Sequence, residues 1–176
     1  MPTSLQIECF DPSKWVNEYA EPAFPIEDKV FDQILKFSLI WNLFERHACN
    51  RKASWNSIRE AASKAFAAGL IRSEDFEPYA DFFRNRANSH HDGIEGYIAA
   101  LNTGSAKMDL QIRNLLHGSH QSPASMLTSL MLIAFRVRNN LFHGNKEIAY
   151  LHNQADLFKF INSMLANYLS KTKAPA

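Results

Sequence analysis

The segment from Pro123 to Phe142 constrains the fold of this 176-residue chain more than any other feature of the sequence. Apolar residues fill most of its middle, in the run MLTSLMLIAF at 126–135. Pro123 suits the first turn of a helix with Ser122 as its cap, and Gly144 suits a helix end. A helix that is apolar on nearly every side is either the centre of a bundle or covered by a second subunit. The second possibility predicts a homodimer with this helix, or its C-terminal end, near the two-fold axis.

Helical periodicity extends over most of the remaining chain. Between Glu27 and Cys49, apolar residues recur at helical spacing, for example at Val30, Ile34 and Phe37. No run of alternating β-branched or aromatic residues predicts a strand. The sequence therefore predicts an all-α fold, an antiparallel helical bundle of five to seven helices. The other predicted helices cover 53–68, 73–86 (capped by Ser73), 94–101, 107–116 and 153–170.

Proline content divides the chain into three parts. Four prolines fall within the first 26 residues, which are predicted to form an irregular N-terminal arm with at most a helical turn near Trp15 to Tyr19. Residues 27–170 are predicted to form the helical bundle. Residues 171–176 are expected to be a disordered tail.

Charge and cysteine content exclude several classes of protein. With 19 basic and 18 acidic residues, the chain has no general attraction for nucleic acid. Only a local basic cluster, at 136–146, would supply it. Two cysteines predict neither a disulfide framework nor a zinc site. The first ten residues do not resemble a signal peptide, and no apolar run is long enough to span a bilayer. We therefore expect a cytoplasmic protein without membrane contact, metal or cofactor.

The apolar helix changes character abruptly at Arg136. The sequence continues Arg-Val-Arg-Asn-Asn-Leu-Phe-His, placing Arg136 and Arg138 ahead of His143. In an unbroken helix, residues seven apart are nearly eclipsed, whereas residues five apart lie roughly 140° from each other around the axis. Geometry alone thus favours Arg136 over Arg138 as the neighbour of His143. These polar residues either line a cleft or simply end the helix, where cations complement its dipole.

The segment RNNLFH at 138–143 resembles the Arg–His motif of the HEPN superfamily. That motif is an Arg followed by four to six residues and a His, often with a polar residue directly after the Arg. Arg138 and His143 fit with four intervening residues and Asn139 in the polar position; Arg136 fits with six. The run FRVRNNLFHGNK and the upstream WNLFE at 41–45 resemble the Apea-like and related bacterial HEPN groups.

The resemblance implies a dimeric, metal-independent endoribonuclease in a toxin–antitoxin, abortive-infection or antiviral defence system. His143 would be the catalytic acid or base and Arg138 would bind the scissile phosphate, with Asn139, Asn140 and Arg136 in supporting roles. The implied partners are RNA, a second copy of the chain and a cognate antitoxin or defence protein. Because some members of the superfamily are inactive, the alternative is a non-catalytic module that binds a nucleotide, RNA or a partner protein.

Three weaker signals have mainly structural interpretations. Arg113 and His117 echo the motif, but three intervening residues fall outside the family spacing. His90-His91-Asp92 offers metal ligands, yet adjacent histidines usually point apart, which favours a solvated loop. Glu45 is expected to form a surface pair, or else to pair with Arg136 or Arg138.

Overall fold

The computed structural model describes residues 10–22, 24–119, 122–142 and 151–173. Within these ranges all regular secondary structure is helical, with no strand, so the predicted all-α bundle is confirmed. Seven α-helices of the described chain begin between residues 27 and 170, and an eighth lies in the N-terminal arm. The α-helices are α1 Pro12–Ala20, α2 Asp28–Ala48, α3 Trp55–Ala67, α4 Glu77–Asn88, α5 Gly93–Leu101, α6 Ala106–Leu116, α7 Pro123–Phe142 and α8 Ala155–Thr172, with a 3₁₀ turn at Ser73–Asp75.

Four helices, α1, α3, α6 and α7, begin where a side chain accepts hydrogen bonds from free backbone N–H groups. Asp11 accepts from the N–H groups of Ser13 and Lys14 at 2.9 and 3.1 Å, which extends α1 beyond the single turn expected there. Ser122 accepts from the N–H of Ser125 at 3.1 Å, as predicted for α7. Ser73 instead begins the 3₁₀ turn, so its predicted role as the cap of α4 is wrong.

The last helix continues into the predicted tail. It extends to Thr172, whose hydroxyl donates to the Tyr168 carbonyl at 2.9 Å. Lys171 forms an ion pair with Asp75 at 3.0 Å, which ties this turn to the 3₁₀ segment. The expectation of disorder is therefore wrong for these two residues, because tertiary contacts hold the terminal turn in place.

Helix α7 is the central element of the bundle. It packs against α3, α6, α5 and α4, while α2 packs mainly on α8. Every residue from Met126 to Ala134 is buried within this one chain. Of the two explanations for its apolar character, the central position is correct. The middle of α7 therefore has no apolar surface left for a second subunit.

One apolar surface does remain uncovered, on α2. Leu35 and Leu39 are each 62% exposed and Leu43 is 47% exposed. Their i, i+4, i+8 spacing places them in one stripe on the face opposite the buried Phe37 and Phe44. None of the described helices is both long and apolar enough to cross a membrane.

Candidate functional site

The predicted functional motif lies at the C-terminal end of α7. The helix continues unbroken to Phe142, as the sequence predicts, so Arg136, Arg138, Asn139 and Asn140 are all helical. The predicted catalytic His143 lies outside the described residues, as does the basic Lys146 of the local cluster. The described part of the motif divides into two groups that face different surroundings.

Arg136 contacts the C-terminal end of α5. Its Nε donates to the Leu101 carbonyl at 3.1 Å, and its terminal nitrogen donates to the carbonyl of Asn102. These carbonyls belong to the last turn of α5 and its cap, where no intrahelical donor remains. Burial lowers the pKa of the Arg136 guanidinium from its ordinary value, although no realistic pH deprotonates it. Arg136 therefore has a structural role.

Asn140 reinforces the same contact. It is buried, and its Nδ2 donates to the carbonyls of Ala100 and Leu101 at 3.3 and 3.1 Å. Its Oδ1 in turn accepts from Arg136 at 3.4 Å. With both donors committed to α5, Asn140 has no free N–H group to offer a ligand.

Arg138 has different surroundings. It is half-buried, its Nη1 donates to Asn139 Oδ1 at 3.2 Å, and its guanidinium lies 5.5 Å from the centre of the half-exposed Phe142 ring. No carboxylate of the described residues lies within ion-pair distance of it. Arg138 thus keeps most of its donors for an incoming anion.

The secondary signals in the sequence have structural explanations. Glu45 accepts from the backbone N–H of Ala53 at 3.0 Å and forms no ion pair within the described chain, so both interpretations of Glu45 are wrong. Arg113 forms a bidentate pair with Glu95 at 2.7 and 2.6 Å, which links α5 to α6. This pairing accounts for Arg113 without a second active site.

The 90–92 turn brings three possible metal ligands together. The rings of His90 and His91 lie 4.4 Å apart, and the donor atoms of His90, His91 and Asp92 all lie within 4.8 Å of one another. The expectation that the histidines point apart is therefore wrong. However, His90 Nδ1 accepts the backbone N–H of Asp92 at 3.3 Å, which occupies one lone pair. His91 and Asp92 are exposed and paired at 2.8 Å, as in a solvated loop.

Sequence reasoning did not predict a cavity beside the α5–α7 contact. It has a volume of about 1000 Å³ and lies between α4, the 89–92 turn, α5, α7 and the start of α8. Arg86, His90 and His91 supply its cationic or titratable groups, and the described lining contains no carboxylate. Asn140 lies in its wall, whereas Arg138 does not. No local pattern signals such a cavity, because its lining comes from distant parts of the chain.

Comparison with known proteins adds no assignment. No protein-family model matches this chain, and neither a curated protein nor a solved structure is significantly similar to it.

Proposed function

We propose that this protein is a metal-independent endoribonuclease of HEPN type that acts in a toxin–antitoxin, abortive-infection or other defence system. One observation carries the proposal. Arg138, five residues before His143, is a half-buried guanidinium without a carboxylate partner among the described residues. A cation held in this way at a protein surface is suited to bind phosphate.

The proposed chemistry needs two side chains and the RNA itself. Arg138 binds the scissile phosphate and stabilises the charge that develops on its oxygens. The 2′-oxygen attacks phosphorus as the bond to the 5′-oxygen breaks, leaving a 2′,3′-cyclic phosphate and a 5′-hydroxyl. His143 takes the proton of the 2′-hydroxyl or supplies one to the leaving 5′-oxygen, because imidazole titrates near neutral pH.

The contacts of the motif assign different roles to its arginines. Arg136 is bound to α5 carbonyls, so the proposal gives it and Asn140 a supporting, structural part. Asn139 orients Arg138 through the hydrogen bond between them. A cytoplasmic location belongs to the proposal, because the RNA substrate is found there.

An RNA cleavage assay in EDTA tests the proposal, with wild-type protein beside Arg138→Ala, Arg138→Lys and His143→Ala. We expect cleavage by the wild type and loss of turnover in all three variants. Arg138→Lys should not rescue activity, because an ammonium cannot make the bidentate contact with phosphate. Cleavage that needs a divalent metal, or that survives in Arg138→Ala, contradicts the proposal.

Complete absence of cleavage by the folded wild type favours the second candidate, a non-catalytic helical module. The observation in its favour is that Arg136 and Asn140 are committed to structural contacts. Such a module would bind a nucleotide, RNA or a cognate partner protein through the same end of α7. Retained RNA binding by the wild type that is weakened in Arg138→Ala would support it.

We also propose that the protein is a homodimer joined through the leucine stripe of α2, formed by Leu35, Leu39 and Leu43. Asp32, which also pairs with Lys36 of its own helix at 2.6 Å, precedes Leu39 by seven residues. Arg46 follows Leu39 by seven residues, close to the same face. In an antiparallel two-fold pairing centred on Leu39, the acidic side chain of each copy meets the basic one of the other. Such a surface is self-complementary, as a two-fold interface requires.

Light scattering tests the dimer. We expect Leu39→Glu to yield a folded monomer, because it places two like charges at the two-fold axis. Leu110→Glu, which changes another exposed leucine on α6, should leave the dimer intact. A wild-type monomer at micromolar concentration, or a dimer that survives Leu39→Glu, contradicts this interface.

A further inference from the structure

The cavity beside α5 contains a half-buried cation that the proposed ribonuclease site does not use. Arg86, on α4, lines the cavity and is partly shielded from solvent. Its terminal nitrogen donates to Gln154 Oε1 at 2.8 Å, and the hydroxyl of the buried Tyr97 lies nearby. Both groups are neutral. Its positive charge is thus uncompensated within the described chain.

Two other half-buried arginines of the described chain are neutralised by carboxylates. Arg84, on the same helix, pairs with both Glu77 and Asp81 at 2.8 Å. Arg113 forms the bidentate pair with Glu95. Shielding a cation from water without a counter-charge is costly, and these two arginines avoid that cost. The surroundings of Arg86 therefore suit an anionic ligand.

The part of the cavity wall formed by the 90–92 turn packs closely on α5. Gly96 of α5 lies under the 90–92 turn, so close that an added Cβ would stand 2.4 Å from Asp92 Cβ and 2.8 Å from His90 Nδ1. The turn is closed by a hydrogen bond from Gly93 N–H to the His90 carbonyl at 2.8 Å. This packing fixes His90 and His91 at the rim of the cavity before any ligand arrives.

The size and chemistry of the cavity define the class of ligand. A volume of about 1000 Å³ lies at the top of the range of roughly 300–1,000 Å³ typical of small-molecule sites. Phe82, Leu101, Val137 and Leu157 supply apolar walls, while Arg86, His90 and His91 supply polar groups. Asp92, which follows His91 in the sequence, is exposed and paired with His91. A ligand with a compact anionic group and a larger, partly apolar body matches this arrangement.

We propose that the cavity binds a phosphate monoester of nucleotide size, with the phosphate at Arg86. A phosphate monoester carries about −1.5 to −2 charges near pH 7 and three acceptor oxygens, which suits the guanidinium fork of Arg86. The base and sugar would lie against the apolar walls. The phosphate belongs either to a free mononucleotide or to the 5′-phosphorylated end of a nucleic-acid strand. This site is separate from Arg138 and does not depend on the proposed ribonuclease activity.

Isothermal titration calorimetry with AMP, adenosine and inorganic phosphate tests the proposal. AMP contains no internucleotide bond, so its binding is measured without interference from cleavage. We expect AMP to bind more tightly than adenosine or inorganic phosphate. A 5′-phosphorylated, fully 2′-deoxy dinucleotide, which cannot form a cyclic phosphate, is the second probe. Tighter binding of the dinucleotide than of AMP identifies a strand end as the source of the phosphate, and weaker binding identifies a free mononucleotide.

Arg86→Gln should weaken AMP binding about 10- to 100-fold, as expected for loss of hydrogen bonds from a charged donor. Arg59→Gln, at an exposed arginine that does not line the cavity, should bind AMP like the wild type. Ala100→Trp, at an exposed position on the rim, should block AMP without disturbing Arg86 and serves if Arg86→Gln fails to fold. Any of three results overturns the proposal. The wild type binds AMP and adenosine with equal affinity, or binds no AMP at millimolar concentration. Alternatively, a folded Arg86→Gln or Ala100→Trp variant binds AMP as tightly as the wild type.

Discussion

Replacing Arg136 and Arg138 separately by alanine distinguishes a structural arginine from a functional one. The two residues are of the same type, two positions apart on α7. Arg136 donates to the carbonyls of Leu101 and Asn102, whereas the polar and ring contacts of Arg138 within the described residues are with Asn139 and Phe142 of its own helix. Arg136→Ala should therefore destabilise the fold, and Arg138→Ala should leave it nearly unchanged.

The contacts set the magnitude of each effect. A hydrogen bond from a charged group contributes about 1.5–3 kcal/mol to stability. Arg136 makes two such bonds to α5. In Arg136→Ala, Asn140 still donates to the Leu101 carbonyl, and water can reach the partly exposed site. We therefore expect the free energy of unfolding to fall by about 2–3 kcal/mol. For Arg138→Ala, loss of an exposed cation–π contact costs below about 1 kcal/mol.

Urea denaturation followed by circular dichroism measures the difference. For a chain of this size, a loss of about 2–3 kcal/mol also lowers the melting temperature by about 4–12 °C. Equal stability of the two variants, or a larger loss in Arg138→Ala, would refute the assignment of Arg136 to the α5 end. A ribonuclease assay on the folded Arg136→Ala protein should still detect cleavage, unlike Arg138→Ala.

Two further predictions concern the turn at 90–92 and the contact between the 3₁₀ turn and α8. Gly96→Ala should destabilise the protein by about 1–3 kcal/mol in thermal melts, because the new Cβ would collide with Asp92 and His90. A Gly96→Ala variant that melts at the same temperature as the wild type would show that the turn moves aside without cost. The Arg72 N–H and Lys171 hold the pKa of the Asp75 carboxyl below its usual value. The ionised Asp75 therefore stabilises the folded protein above the unfolded-state pKa of about 3.9, and this stabilisation is lost as pH falls through the lower folded-state pKa. Asp75→Asn should thus be less stable than the wild type at neutral pH and equal to it near pH 2, as judged by urea midpoints; a difference that persists in acid would contradict this.

Local patterns predicted the fold well because helices depend on nearby residues. The bounds of α7 follow from the Ser122 cap and the apolar run, and both agree with the structure. Errors arose where a helix end depends on a distant contact. Thr172 remains helical partly because neighbouring Lys171 reaches Asp75, almost a hundred residues earlier in the chain.

The candidate site shows the same division between local and distant information. Spacing identified the Arg–Asn–His motif and placed Arg138 on a helix end, and the helical angle favoured Arg136 as the neighbour of His143, which lies outside the described residues. Arg136 is committed to carbonyls 34 and 35 residues away in sequence, which no local pattern reveals. The cavity around Arg86 escaped prediction for the same reason, since four helices and a turn contribute to its lining.

The termini of the cleaved RNA test the central claim most directly. Wild-type protein is incubated with a defined RNA in EDTA, and the fragments are analysed by mass spectrometry beside those from His143→Ala. The account predicts 2′,3′-cyclic phosphate and 5′-hydroxyl ends with the wild type and intact RNA with the variant. Fragments with 5′-phosphate ends, or the same fragments from His143→Ala, would contradict it.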